Sequence, residues 1–210
     1  MTIESIIHNI LHLNLFISQI VSYLGWMSYL LLFLVVFCET GLVVTPFLPG
    51  DSLLFAVGTI TATGRLNLTL IIILLILAAF CGDQCNYWVG RKFSKILIHK
   101  NWIKTEYIDK TEVFYKKHGN KTLVIARFIP IIRTFAPFVA GVGKMNYYKY
   151  LTISLLSAIL WVTSITLCGH FFGNIPIVKQ NFSVAILVII LISVILGIFI
   201  GYKENKKNKK

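Results

Sequence analysis

A chain of 210 residues in which 57% are hydrophobic and only 13% charged, with a mean hydropathy of +0.79, lies outside the soluble globular class, where charged residues make up about 25%. The length allows one membrane domain and leaves no room for a separate soluble enzyme domain. The net charge of +12 would suit nucleic acid only with aromatic and basic residues interleaved, and that pattern is absent; the excess gathers in one loop and the tail, where topology and anionic lipid headgroups account for it.

The elements follow in chain order. Residues 1–20 hold Glu4 and no Lys or Arg, so this segment is not expected to be a signal peptide. Ile3, Ile6, Ile7, Ile10 and Leu11 recur at helical spacing, so this segment reads as an interfacial amphipathic helix. His8 and His12 stand one turn apart without a third ligand, so no metal site is expected. The membrane domain runs over 21–202. Its first apolar run, 24–38, becomes long enough to cross once 21–23 are added. Residues 42–60 hold Pro46, Pro49 and Gly50, which prevent one continuous helix, and this segment reads as a re-entrant hairpin. After a short loop at 61–67, residues 68–89 form the clearest span, with Asp83 near its end. The stretch 91–121 is polar, with nine Lys and Arg against Glu106, Asp109 and Glu112. A second broken segment covers 123–141, followed by spans at 147–172 and 182–202 and a basic tail at 203–210. Cys38, Cys81, Cys85 and Cys168 all lie in apolar segments, where cysteine acts as a small hydrophobe.

Positive residues near span ends mark the cytoplasmic side. The 91–121 loop and the tail share a face if 123–141 enters and returns on one side. The two broken segments then dip in from opposite faces. The expected fold is an all-α membrane protein, a multi-span helical bundle with two oppositely oriented re-entrant hairpins forming an inverted repeat, and a cytoplasmic C-terminus.

Glu39 and Asp51 flank the first break, and Arg127 and Arg133 the second. A charge at the bilayer centre costs about 2.5–3.5 kcal/mol, so four unpaired ones would cost about 10–14 kcal/mol. They are therefore expected to be paired, hydrated or both. Arginine offers a planar fork that binds phosphate bidentately, so Arg127 and Arg133 are candidates for a phosphate headgroup, with helix N-termini at Pro130 and Pro137 adding donors. A poorly solvated carboxylate is able to carry protons near neutral pH, which makes Glu39 and Asp51 candidate proton carriers. Pro49, Gly50, Pro130, Pro137 and Gly141 are expected to shape the hairpins, and Asp83 to cap a helix or pair with Arg91. A purely structural salt-bridge cluster explains the same four charges.

The order and spacing of Glu39, Phe47-Leu48-Pro49-Gly50-Asp51-Ser52, Gly82-Asp83, Tyr87, Gly90-Arg91, Arg127-Phe128-Ile129-Pro130-Ile131-Ile132-Arg133, Pro137 and Ala140-Gly141 resemble the DedA family of bacterial inner-membrane proteins. The resemblance covers roughly 20–200. Gly173-Asn174-Ile175-Pro176 looks like the enterobacterial branch, and Ser94 departs from the Gly often found after Gly90-Arg91. The family shares the SNARE-associated (VTT) domain with eukaryotic lipid scramblases. The resemblance implies a lipid flippase in the bacterial inner membrane, moving undecaprenyl phosphate or a phospholipid. It also implies links to proton motive force and envelope integrity. It places the functional carboxylates on Glu39 and Asp51 and the functional arginines on Arg127 and Arg133.

The expected partners are membrane lipids, with anionic headgroups at the basic loop and tail; no nucleic acid and no cofactor is expected, and a homo-oligomer stays open. The alternatives are a non-transporting scaffold or assembly factor and an intramembrane lipid phosphatase. The second lacks an HExxH, a Gly-rich phosphate loop and a Ser/His/Asp pattern, and His170, His99 and His118 have no partner motif, so the chain reads as a non-enzyme.

Overall fold

The computed structural model describes residues 13–42, 50–99, 123, 127, 130–173, 175, 176 and 178. They form six helices: α1 (Leu13–Leu24), α2 (Met27–Gly41), α3 (Gly50–Ala62), α4 (Leu68–His99), α5 (Pro130–Val142) and α6 (Tyr147–Phe172). Among the described residues there is no strand.

The two long helices α4 and α6 contain apolar stretches, Leu68–Ser94 and Tyr147–Phe172, long enough to cross a membrane. Each starts at a side-chain cap. Asn67 Oδ1 accepts the Leu70 N–H at 3.0 Å, and Asn146 Oδ1 accepts the Lys149 N–H at 3.2 Å. The helices α3 and α5 are 13 residues each, about 20 Å at 1.5 Å per residue, against a hydrocarbon core of about 30 Å.

Burial separates the elements. From Gly50 to Thr61 every residue of α3 is buried, as a polar-ended short helix in the middle of a bundle must be. By contrast Leu30 and Leu34 of α2, Leu70, Ile73 and Leu77 of α4, and Leu156 and Leu160 of α6 are exposed. These outward apolar side chains have lipid as their natural solvent, and the buried core of Leu32, Val36, Leu54, Val57, Ile71, Leu75, Trp161 and Val162 lies between them.

Backbones approach where small residues meet, as membrane helices favour. In α3, Gly58 packs against Thr166 and Gly169 of α6; in α5, Gly141 packs against Tyr87 and Arg91 of α4; and Gly41 of α2 packs on Gly82 of α4. Each short helix thus lies on the long helix of the other half of the chain. Gly90 and Gly169, at two of these crossings, stand equally far from the first residues of their helices, Leu68 and Tyr147.

Contacts orient the helices. The Asn67 N–H donates to the Tyr29 hydroxyl at 2.8 Å, so α2 starts beside the 63–67 turn. Thr61 Oγ1 and His170 Nδ1 are 2.8 Å apart, which sets the end of α3 and the end of α6 at that same end of the bundle. At the other end the Tyr87 hydroxyl donates to the Met145 carbonyl at 2.6 Å, joining α4 to the α5–α6 turn. Hence α3 and α5 leave the middle of the bundle toward opposite ends, with both N-termini inside.

Some expectations change. The crossing expected from 21–38 is interrupted at Gly25, where φ is +51°, and α2 runs from the 63–67 end inward to Glu39. The helix expected at 68–89 continues to His99, because the basic residues from Arg91 onward have good helix propensity and extend it past the apolar stretch. Pro137 does not break α5 but lies inside it. It and Gly141 do not shape a hairpin tip; Gly141 serves the α4 crossing. Of the amphipathic segment, 13–20 is helical within α1. Residues 1–12, Pro49, most of 91–121, the 182–202 span and the tail lie outside the described residues.

Candidate functional site

Five charged side chains from four helices and the segment before α5 meet near the middle of α4 and α6. Glu39 comes from the last turn of α2, Asp51 from the first turn of α3, Asp83 from the middle of α4, Arg133 from the first turn of α5, and Arg127 from the segment before it. Their exposures run from 1% for Glu39 to 6% for Asp51, so all five are withdrawn from solvent and lipid.

Arg133 is the hub. Its Nη2 donates to Glu39 Oε1 at 2.5 Å, and its Nη1 donates to Asp51 Oδ1 at 2.7 Å. The Trp161 indole N–H donates to that same Asp51 oxygen at 2.9 Å, while the ring lies 4.3 Å from the Arg133 guanidinium carbon. One aromatic residue therefore orients the acid through its edge and faces the base with its π-system. Glu39 rests against the N-terminus of α3, and a Cβ on Gly50 would collide with its carboxylate. Glycine at this position gives the anion its place at the positive end of the helix.

Arg127 differs. Its Nη1 donates to Asp83 Oδ2, and its guanidinium carbon lies 5.4 Å from the Trp161 ring. Its Nε and Nη2 are buried without hydrogen-bond partners among the described residues. Asp83 is held from α6 by Ser154 Oγ, which donates to Oδ2 at 2.7 Å, and by the Tyr150 hydroxyl, which donates to the Asp83 carbonyl at 2.9 Å. A cavity of about 10 Å³ adjoins this half, lined by Asp83, Arg127, Arg133, Pro137, Tyr150 and Ser154. That is room for about one water.

The structure thus brings together Glu39, Asp51, Arg127 and Arg133, as the sequence suggested, and adds Asp83. Asp83 pairs with Arg127 rather than with Arg91. Arg91 Nη1 donates instead to the Tyr87 hydroxyl at 2.6 Å. Pro130 starts α5, placing a helix N-terminus near Arg133, whereas Pro137 provides no second one because it sits inside the helix.

Sequence reading missed Trp161, Ser154, Tyr150 and Asn86. Asn86 is fully buried, and its Nδ2 donates to the Thr40 carbonyl at 3.2 Å and the Thr134 carbonyl at 2.8 Å, tying α2 to α5. The signal for Asn86 was its place about one turn beyond Asp83, past Gln84, on a helix whose residues 70–81 are all apolar. Nothing local distinguishes Trp161 from a lipid-facing aromatic.

Among the described residues the cluster holds three carboxylates and two guanidiniums, so with every group ionised it is one proton short of neutrality, and Glu39 Oε2 has no hydrogen-bond partner there. Among the described residues no three His, Cys, Asp or Glu gather as metal ligands.

Comparison with known proteins gives these residues a family. The VTT domain pattern matches residues 48–171. The chain is 46% identical to Protein DedA of Escherichia coli strain K12 over 194 residues, covering 90% of this chain and 89% of the relative. It is 35% identical over 182 residues to an uncharacterized membrane protein of Mycobacterium leprae, covering 84% and 82%. It is 33% identical over 176 residues to the inner membrane protein YqjA of E. coli K12, covering 82% and 80%. No solved structure matches. The chain belongs to the DedA family of membrane proteins and carries its VTT domain.

Proposed function

We propose that this DedA-family chain is a lipid transporter of the bacterial inner membrane. It moves a phosphate-bearing lipid, either undecaprenyl phosphate or a phospholipid, between leaflets. The observation that carries this reading is the Arg127 guanidinium, 5% exposed, with one nitrogen on Asp83 and two donors without partners among the described residues. A buried cation with spare donors is the group that a phosphate oxygen satisfies best.

In this reading α2 with α3 forms one re-entrant hairpin, and α5 with the segment before it forms the other. The two enter from opposite faces and present their N-termini to the headgroup at mid-depth. The Gly58–Gly169 and Gly141–Tyr87 crossings support such a repeat, because each short helix rides on the other half's long helix. The basic loop and the tail then face the cytoplasm. The 10 Å³ cavity is too small for a phosphate, so the lipid enters only when the short helices part, alternately toward each face.

The missing proton gives the cycle its coupling. Protonation of Glu39 at its unpartnered oxygen, or of Asp51, neutralises the cluster. It loosens Arg133 from one carboxylate, which lets α5 shift relative to α3. Nothing in this cycle requires bond cleavage, so the protein acts as a carrier rather than an enzyme.

One observation favours a second reading for part of the cluster. Both Nη atoms of Arg133 are already taken by Glu39 and Asp51, which suits a structural clasp holding α2, α3 and α5 together.

The test is translocation of a fluorescent phosphate-bearing lipid in proteoliposomes, with undecaprenyl phosphate and phosphatidylethanolamine compared in the presence and absence of a pH gradient. Arg127→Lys keeps the charge but loses the fork, and is expected to fold and move lipid more slowly. Wild-type rates in that variant would sink Arg127 as the headgroup ligand. Orientation is read separately, from labelling of whole cells with an impermeant maleimide at single cysteines placed at Asn67, Lys110 and Asn205. Labelling at 110 or 205 from outside overturns the topology.

A further inference from the structure

A second polar site lies away from the buried cluster, at the end of the bundle where α4 meets the α5–α6 turn. A groove of about 550 Å³ is lined there by Trp88, Arg91, Lys144, Tyr147, Tyr148 and Lys149, together with Met145 and Asn146. Among the described residues the lining carries three cations and no carboxylate. Lys144, Tyr148 and Lys149 are exposed. Trp and Tyr beside an apolar helix end mark the headgroup level of a bilayer.

The backbone at Lys144 is the telling detail. The Met145 N–H bonds the Ala140 carbonyl at 3.0 Å and the Lys144 N–H bonds the Gly141 carbonyl at 3.1 Å, which closes α5 in a Schellman turn. Lys144 occupies the left-handed position of that turn, with φ at +50°. Glycine is the usual residue there, because a Cβ is disfavoured in this conformation. A lysine at a glycine position gives up backbone ease for a cation, and it does so at the mouth of the groove. The groove wall is held firmly: Arg91 Nη1 donates to the Tyr87 hydroxyl, which in turn donates to the Met145 carbonyl, each at 2.6 Å.

We propose that this groove binds the phosphate headgroup of an anionic phospholipid in the leaflet it faces, with Lys144 and Lys149 on the phosphate and Trp88 and Tyr148 against the glycerol and upper chains. Charge complementarity and the aromatic rim select a lipid over a soluble anion, which would gain nothing from the rim. The proposal stands apart from the translocation reading, because it concerns equilibrium binding at a separate place.

The test uses the purified full chain in neutral detergent, with thermal unfolding followed as phosphatidylglycerol, phosphatidylcholine or inorganic phosphate is added. A ligand that binds only the folded state raises Tm with its concentration. Phosphatidylglycerol is expected to raise Tm well beyond the other two. Lys144→Gly should unfold at the same or a higher temperature without lipid, since it relieves the turn, yet bind phosphatidylglycerol about fivefold more weakly. Lys144→Gly combined with Lys149→Ala should weaken binding further, while Arg65→Ala, at the other end of the bundle, should leave it unchanged. Equal stabilisation by phosphatidylcholine or inorganic phosphate overturns the proposal. So does wild-type affinity in the groove variants, or a loss confined to the Arg65→Ala variant.

Discussion

Arg133 and Arg127 stand close together in the chain and are both 5% exposed, yet their surroundings differ. Arg133 has each Nη on a different carboxylate and a tryptophan ring beneath it. Arg127 has one carboxylate and two idle donors. Among the described residues Arg133 leaves its Nε without a partner, whereas Arg127 leaves both Nε and Nη2, so the same side chain is more fully paired in one half of the cluster than in the other. The more fully paired arginine clamps helices together, whereas the less paired one keeps more donors for a ligand. Variants that treat the two arginines alike test this contrast directly.

The largest effect is expected from Arg133→Ala. It leaves Glu39 and Asp51 buried without their cation, and breaking a buried pair in this way costs about 3–5 kcal/mol. The protein should be lost from the membrane fraction or aggregate on size-exclusion chromatography. Combining it with Glu39→Gln and Asp51→Asn should recover folded protein, because the uncompensated charges are gone. A stable Arg133→Ala protein would erase the distinction between the two arginines.

Next comes Arg127→Lys. Losing one charge-assisted hydrogen bond to the headgroup is worth about 1.5–3 kcal/mol, so translocation should fall about 10- to 100-fold with little change in Tm. A large drop in Tm instead would make Arg127 a second clamp.

Trp161→Phe sharpens the contrast from the aromatic side. It keeps a ring but deletes the N–H that Asp51 accepts at 2.9 Å, a hydrogen bond to a charged group worth about 1.5–3 kcal/mol before any rearrangement. Its cost should appear as a lower Tm and vanish in the background of Asp51→Asn, as a double-mutant cycle would measure.

Glu39→Gln should change stability least, since the amide fills the same space beside Gly50. It cannot take up and release a proton, so the variation of transport rate with external pH that the proposed coupling expects of the wild type should be lost in vesicles. An unaltered pH profile would remove Glu39 from the proton path and leave Asp51 as the carrier to test.

The sequence alone set the solvent of this protein. Its apolar runs and scarce charges demand lipid, and the four ionisable residues at the two breaks demand one another or water, because isolated charges at mid-bilayer are too costly to keep. The breaks at Gly50 and Pro130 were legible for the same local reason: these residues start helices where the chain turns. The proline at 137 misled because neighbouring helices tolerate a proline inside a membrane helix. What sequence could not decide was partnership. Whether Asp83 meets Arg91 or Arg127, which arginine keeps more free donors, and why Trp161 is buried all depend on how α3 lies on α6 and α5 on α4. Those crossings are set by backbone contact at Gly58, Gly141 and Gly169. Close approach between distant segments has no local signature, since glycine at a crossing reads the same as glycine in a loop until the facing helix is in place.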